Sequence, residues 1–272
     1  MNILILFALF CTGYAYKILG IFPYPIKSHY AEFEPLLLAL SERGHNVTVI
    51  SHFPQERPVR NYQDISLKGT SQILVNAFDI GNFGSGKVSR IIHPMLLARM
   101  TNPVCQTTLE TPQVQDFLKK SEKLDVVIIE LFASMCYLGI MHGTGASLVG
   151  LTSSPILPWF TSYVGQPNNP SYMPVVFSEF SDRMTFWERL ENLVVYTSSM
   201  FTYRYLIDPF ANTQAKKFTD PGLPPLDEFV YNTSIVLANV HHSLHRAFPR
   251  VPNVIEVGGM HIVGTKALPE VN

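Results

Sequence analysis

The chain has 272 residues, 47% of them hydrophobic and 15% charged, which is enough for one large domain or two small ones and too apolar for disorder. Twenty Lys and Arg against 21 Asp and Glu leave a formal net charge of −1, which argues against a nucleic-acid binder working through a basic face. Small neutral ligands and lipid surfaces stay open, and 20 prolines with 12% aromatic residues suit loops packed with apolar rings.

Residues 2–11 (NILILFALFC) are apolar but shorter than the roughly 20 residues a membrane span needs. The TGYA that follows at 12–15 offers a cleavage site, so residues 1–15 read as a signal peptide. The competing reading makes residues 3–9 a first buried strand. Entry into the secretory pathway gives meaning to two glycosylation sequons, at Asn46 and Asn232, while 169–171 fails because Pro170 takes the middle position. Asn46 falls at a strand entrance. Once Cys11 leaves with the signal, Cys105 and Cys136 remain, enough for one bridge at most and too few for a cysteine zinc site. Whether they pair depends on a distance that sequence does not supply. Residues 126–151 come closest to a later span, but Glu130, His142 and three glycines interrupt them. The expected location is the lumen of the endoplasmic reticulum, without a span of the chain's own.

Residues 16–22 read as a short apolar strand, followed by a loop marked by Pro23, Pro25 and Ser28. Phe33, Leu36, Leu37 and Leu40 then recur at helical spacing, with Pro35 tolerable only in an early turn. Gly44 closes the helix and 47–51 is the next strand, which makes a βαβ unit with parallel strands. Further strands are expected at 65–67 and 73–76, and helices at 88–100 and 113–121. Residues 125–130 (DVVIIE) are apolar on both faces, as a buried parallel strand must be. A helix at 135–142, a strand at 147–151 and a long loop at 152–172 follow. Residues 185–218 read as helical, capped by Asp182 or Thr185 and with a break at Pro209, and 235–240 as the last strand. The fold class is α/β, a parallel sheet between helices.

Ligands of open parallel sheets bind beyond the carboxyl ends of the strands. His29 follows the first strand and Glu130 ends the strand at 125–130, so both belong to one edge. A carboxylate beside an imidazole holds one tautomer, leaving the other nitrogen to take a proton from a hydroxyl. On spacing alone the pair reads more readily as a histidine at a helix entrance and a solvated strand end. His241, His242 and His245 resemble a zinc cluster but lack the metalloprotease glutamate, and read better as a loop cluster. Residues 81–86 (GNFGSG) resemble a phosphate loop without its Lys-Ser/Thr ending. Neither a dinucleotide Gly-x-Gly-x-x-Gly after the first strand nor a Gly-x-Ser-x-Gly elbow is present. Tyr196, Phe201, Tyr203, Tyr205 and Phe210 line a lipophilic pocket, touch a membrane or pack in the core, the last being the plainest account.

Three blocks carry a family resemblance: PYPIKSH (23–29) running into PLLLALSERGHNVTVI (35–50), YMPVVFSEFSDRMTFWER (172–189), and VPNVIEVGGMHI (251–262) with KALPE (266–270). Together they resemble the amino-terminal domain of animal UDP-glycosyltransferases, in wording closest to arthropod members. The resemblance implies a Rossmann-like, acceptor-binding domain at 16–260, the amino-terminal half of a GT-B type enzyme, with an interdomain linker beginning at 261–272. It implies that His29 is the base that deprotonates a small lipophilic hydroxyl acceptor during inverting transfer of a hexosyl group from a UDP-sugar. The supporting acid of many vertebrate members is an aspartate, and here its position holds Glu130. No cofactor is expected in this chain, and the UDP-sugar belongs to a second domain. The expectation is therefore a chain inactive alone, with homo- or hetero-oligomers of complete members as further partners. The alternative is a non-enzymatic lumenal lipophile binder or regulatory short form.

Overall fold

In the computed structural model, which describes residues 14–74, 87–176, 178–245, 248–262 and 264, the described residues build one sheet of seven strands. They are β1 (Lys17–Phe22), β2 (Asn46–Ser51), β3 (Tyr62–Ser66), β4 (Val126–Glu130), β5 (Ser147–Thr152), β6 (Thr233–Ala238) and β7 (Val254–Glu256). Every neighbouring pair is parallel, in the order β3-β2-β1-β4-β5-β6-β7. The order reverses between β1 and β4, and that reversal opens a crevice at their carboxyl ends.

The helices are α1 (Lys27–Glu42), α2 (Lys87–Glu110), α3 (Pro112–Lys119), α4 (Pro158–Thr161), α5 (Phe186–Thr202), α6 (Asp208–Phe218), α7 (Leu226–Tyr231) and α8 (His242–His245). A 3-10 helix (Met135–Met141) and a π turn (Tyr203–Ile207) complete them. Because successive strand residues face opposite sides, the sheet feeds two cores. Leu19, Ile21, Val127 and Ile129 join the larger one beneath the helices that follow β3 and β4. Ile18, Phe22 and Ile128 join the smaller one, closed by Tyr30, Phe33 and Leu37 of α1. Gly44, at φ 92°, ends α1 in the left-handed conformation that a Cβ disfavours, and the chain turns straight into β2.

The structure departs from the sequence-based reading at several elements. Helix α1 begins at Lys27, so Pro35 lies in its interior. Proline removes the bond that the Ala31 carbonyl would accept, but Ala31 is exposed and water can take its place. Helix α2 runs to Glu110 through Pro94 and Pro103, well past residue 100. The expected strand at 65–67 is Tyr62–Ser66, and Ile73 and Leu74 lie outside any strand. Residues 135–142 form a 3-10 rather than an α-helix, and the 152–172 loop contains α4. Thr185, not Asp182, caps α5, accepting from the Glu188 amide in a capping box. The break near Pro209 is the π turn ahead of it, which leaves Pro209 in the first turn of α6, where its missing N–H costs nothing. The last predicted strand is Thr233–Ala238, and β7, three residues long, adds an unpredicted edge. The signal segment up to residue 13, residues 75–76 of the expected strand, the glycine-rich 81–86 and the 266–270 block lie outside the described residues.

Candidate functional site

Strand alternation decides where Glu130 points. Val126 and Ile128 face the α1 side of the sheet, and Glu130, two residues on, faces the same way. His29 is the third residue of α1, which is separated from the end of β1 by the four residues 23–26. β1 and β4 are neighbours, so the two side chains meet over the crevice: His29 Nδ1 lies 2.7 Å from Glu130 Oε1. The carboxylate side chain is 4% exposed and the imidazole 24%, so the ring keeps part of its surface accessible.

Two further strand ends complete the edge. Ser153, directly after β5, donates its hydroxyl to the same Glu130 Oε1 at 2.9 Å. Asn239, directly after β6, donates Nδ2 to Glu32 Oε2 at 2.9 Å and accepts the Gly259 amide at 3.1 Å. Phe132 stands edge-on to His29 at 5.2 Å and to Tyr24 at 5.4 Å, giving the imidazole an aromatic wall. A separate apolar cavity of about 90 Å³ is lined by Pro155, Ile156, Val175, Ala238 and Phe248 among others, and by none of His29, Glu130, Ser153 and Asn239.

Burying a carboxylate is costly unless donors replace its water, and here His29 and Ser153 do so. An ionised carboxylate only accepts, so Nδ1 carries the proton and Nε2 is left with its lone pair. Burial alone would lower the His29 pKa. The charge of Glu130, its hydrogen bond and the more distant charge of Glu32 outweigh that, and the net shift is upward from the ordinary 6.5. Glu32 is itself raised, chiefly by burial and further by Glu130, with the Asn239 bond opposing. The arrangement can accept a proton at Nε2 and hold the resulting cation beside two carboxylates.

Ser153, Glu32 and Asn239 had no sequence signal of their own. Ser153 and Asn239 reach the site because β5 and β6 follow β4 in the sheet, an order no local pattern encodes, and Glu32 lies three residues after His29 in α1. The other candidates lie elsewhere. His242 and His245 belong to the single turn α8, with His241 Nδ1 2.7 Å from Ser243 Oγ. Among the described residues no group of three His, Cys, Asp or Glu is placed to hold a metal ion. Asn46 opens β2 and Asn232 ends α7, and both are exposed. Cys105 and Cys136 are joined by a disulfide, with Cα atoms 6.3 Å apart. The aromatic run divides: Tyr203 is in the core and Phe210 packs against it, while Phe201 and Tyr205 are exposed.

A family model described as "UDP-glucoronosyl and UDP-glucosyl transferase" matches residues 85–271, more than half of the chain. UDP-glucosyltransferase 2 of Dactylopius coccus is 33% identical over 98% of this chain and 52% of its own length. UDP-glucuronosyltransferase 3A2 of Mus musculus is 26% identical over 89% of this chain and 47% of its own. The chain thus spans about half the length of the curated relatives it matches. Among solved structures, a spinosyn forosaminyltransferase aligns at 15% identity with a TM-score of 0.47, over 94% of this chain and 54% of that one.

Proposed function

Since the chain belongs to the UDP-glucuronosyl and UDP-glucosyl transferase family, we propose that it supplies the acceptor half of a glycosyl transfer from a UDP-sugar to a hydroxyl. The observation that carries this reading is the 2.7 Å contact between His29 and Glu130 at the switch-point crevice. With Nδ1–H bound to Glu130, the Nε2 lone pair takes the proton of the acceptor hydroxyl. The freed oxygen attacks the anomeric carbon from the face opposite the leaving group. A new C–O bond forms, the bond to UDP breaks with its electron pair leaving on the phosphate, and the configuration inverts. Glu130 orients His29 and stabilises the imidazolium that forms. Ser153 keeps the carboxylate in place.

The apolar cavity lined by Pro155, Ile156 and Ala238, whose chain neighbours Ser154 and Asn239 lie at the same strand ends as the site, supports a lipophilic acceptor, its 90 Å³ matching one end of such a molecule. The donor sugar binds to a second domain, as the two-fold greater length of the relatives supports. The disulfide between Cys105 and Cys136 supports an oxidising lumen, hence the endoplasmic reticulum, with Asn46 and Asn232 as glycan acceptors.

The test is a two-domain protein joining this chain to the carboxy-terminal half of the Dactylopius coccus glucosyltransferase, assayed with UDP-glucose and a panel of phenols and aliphatic alcohols. His29→Ala is expected to lower kcat by about 10²–10⁴-fold with little change in the KM for UDP-glucose. Transfer that survives this substitution at the wild-type rate removes His29 from the chemistry.

A further inference from the structure

Asn239 is bound on three sides. Its backbone N–H donates to the Thr152 carbonyl at 2.8 Å, which fixes the main chain at the end of β6. Its side chain joins two other parts of the molecule: Nδ2 donates to Glu32 Oε2 of α1 at 2.9 Å, and Oδ1 accepts the Gly259 amide at 3.1 Å. An ionised carboxylate only accepts and a backbone N–H only donates, so turning the carboxamide over would lose both bonds. The amide of Gly259 therefore sets which way Asn239 faces, and Asn239 in turn holds the Glu32 carboxylate.

Gly259 belongs to the segment 257–262, which follows β7 and is seated closely on the end of β6. Val257 donates its amide to the Ala238 carbonyl at 2.8 Å, and a Cβ on Gly258 would lie 2.7 Å from the Val240 carbonyl oxygen. Met260 packs against the smaller core beneath α1. The segment reaches Glu32 a second time through the charge of His261. Glu32 is half-buried and lies one helical turn after His29, a spacing that makes side chains on a helix neighbours. Burial and the Glu130 charge press it toward its neutral form, while the Asn239 bond, His29 and His261 favour the anion. The charges that bear on His29 are Glu130 of β4 and Glu32 of its own helix.

From these contacts we propose that Asn239 is a positioning residue that makes the charge beside His29 depend on the seating of segment 257–262. The proposal rests on the reading of His29 as the base and of the segment as the way to a donor-binding half. With the segment seated, Asn239 holds the Glu32 carboxylate near His29, and the imidazole keeps the proton it takes from the acceptor hydroxyl. With the segment lifted, the carboxamide loses the bond that sets its direction and Glu32 is free to turn to water. The imidazolium then gives its proton to solvent more readily, which restores the base for another turn. A movement of the second half is thus read at His29 through two hydrogen bonds and one charge.

Nitrogen-15 NMR of the 272-residue chain reads this at His29 without any need for turnover. Asn239→Leu keeps the volume and removes both side-chain bonds. It is expected to move the His29 titration to lower pH, by up to the shift that Glu32→Gln itself produces. Gly259→Pro offers no N–H and cannot adopt the φ of 87° found there, so it unseats the segment from outside the crevice. It is expected to move His29 in the same direction. In a Glu32→Gln background, Asn239→Leu and Gly259→Pro are both expected to leave His29 where Glu32→Gln alone puts it, because the effect passes through that charge. Thermal melts accompany each titration. A fall in Tm with the His29 titration unmoved means a purely structural role for Asn239 and overturns the proposal. So does a shift of equal size in the Glu32→Gln background, which would route the effect through Glu130 instead. Failure of the base reading is a separate result, namely transfer that survives His29→Ala in the two-domain enzyme, and it leaves these titrations as they are.

Discussion

At His29 two opposing forces act on one ring, and their balance fixes a pH dependence. Burial favours the neutral imidazole, the Glu130 carboxylate at 2.7 Å favours the cation, and the carboxylate prevails. The group that must be neutral to act as a base therefore becomes neutral only above the ordinary histidine pKa. Glu130→Gln removes the charge and leaves the burial, so the His29 pKa must fall. Nitrogen-15 NMR of the chain alone should show His29 titrating above 6.5 in the wild type and at lower pH in the variant. In a two-domain enzyme the acid limb of kcat/KM should move to lower pH in parallel, while kcat drops by on the order of a hundredfold as the fixed tautomer is lost. An acid limb that stays put, or moves upward, contradicts the assignment of the raised His29 pKa to the Glu130 carboxylate. The contact itself was half legible in the sequence. A polar residue after the first strand and an acid ending a buried one identify the edge, and alternation from Val126 gives the face. The Ser153 and Asn239 bonds were not legible, because they depend on β5 lying beside β4 and β6 beside β5, and they join residues more than 20 and 200 positions apart respectively.

Among elements, α6 carries a cost at its first residue. Asp208 is 6% exposed, and its pKa is pushed up to about 6, first by burial and further by Asp227, with Arg204 opposing. Folding thus takes up a proton between the unfolded value near 3.9 and about 6. The native state is penalised progressively as pH rises through that window, and fully above it. Asp208→Asn should leave stability unchanged below about pH 4 and raise it by about 1–3 kcal/mol at pH 8, or several degrees in Tm. A gain of equal size at both ends of the range would show that packing, not charge, is responsible. Elements were readable where one period ran unbroken. The DVVIIE run of β4 and the Val47, Val49 and Ile50 of β2 announce buried strands, and α1 shows its stripe in Phe33 and Leu37. Reading failed where tertiary packing overrode a local rule. The helix expected to end at residue 100 continues to Glu110, because Leu97, Ala98, Cys105 and Leu109 are buried in the larger core. The π turn ahead of Asp208 and the three-residue β7 are too short for any period to register.

Across the whole molecule, stability and chemistry sit on opposite faces of the sheet. The larger core holds the disulfide, which ties Cys105 of α2 to Cys136 of the 3-10 helix across 31 residues. A loop of that length restrains the unfolded chain by roughly 3–4 kcal/mol in the loop-entropy account. Both sulfurs are buried, at 4% and 0% residue exposure, so a reductant has no access to the native bond and removal by substitution is the cleaner test. Cys105→Ala with Cys136→Ala should lower Tm by roughly 6–16 °C for a chain of this size. The His29–Glu130 pair lies on the α1 side, held by the smaller core of Ile18, Phe22, Phe33 and Leu37. Its geometry depends on β1, β4 and α1, none of which the disulfide anchors. The raised His29 pKa should therefore persist in the double variant when measured by NMR well below its melting temperature. If that shift collapses together with Tm, the helices of the larger core must brace β4 itself, and the two faces of the sheet act as one unit.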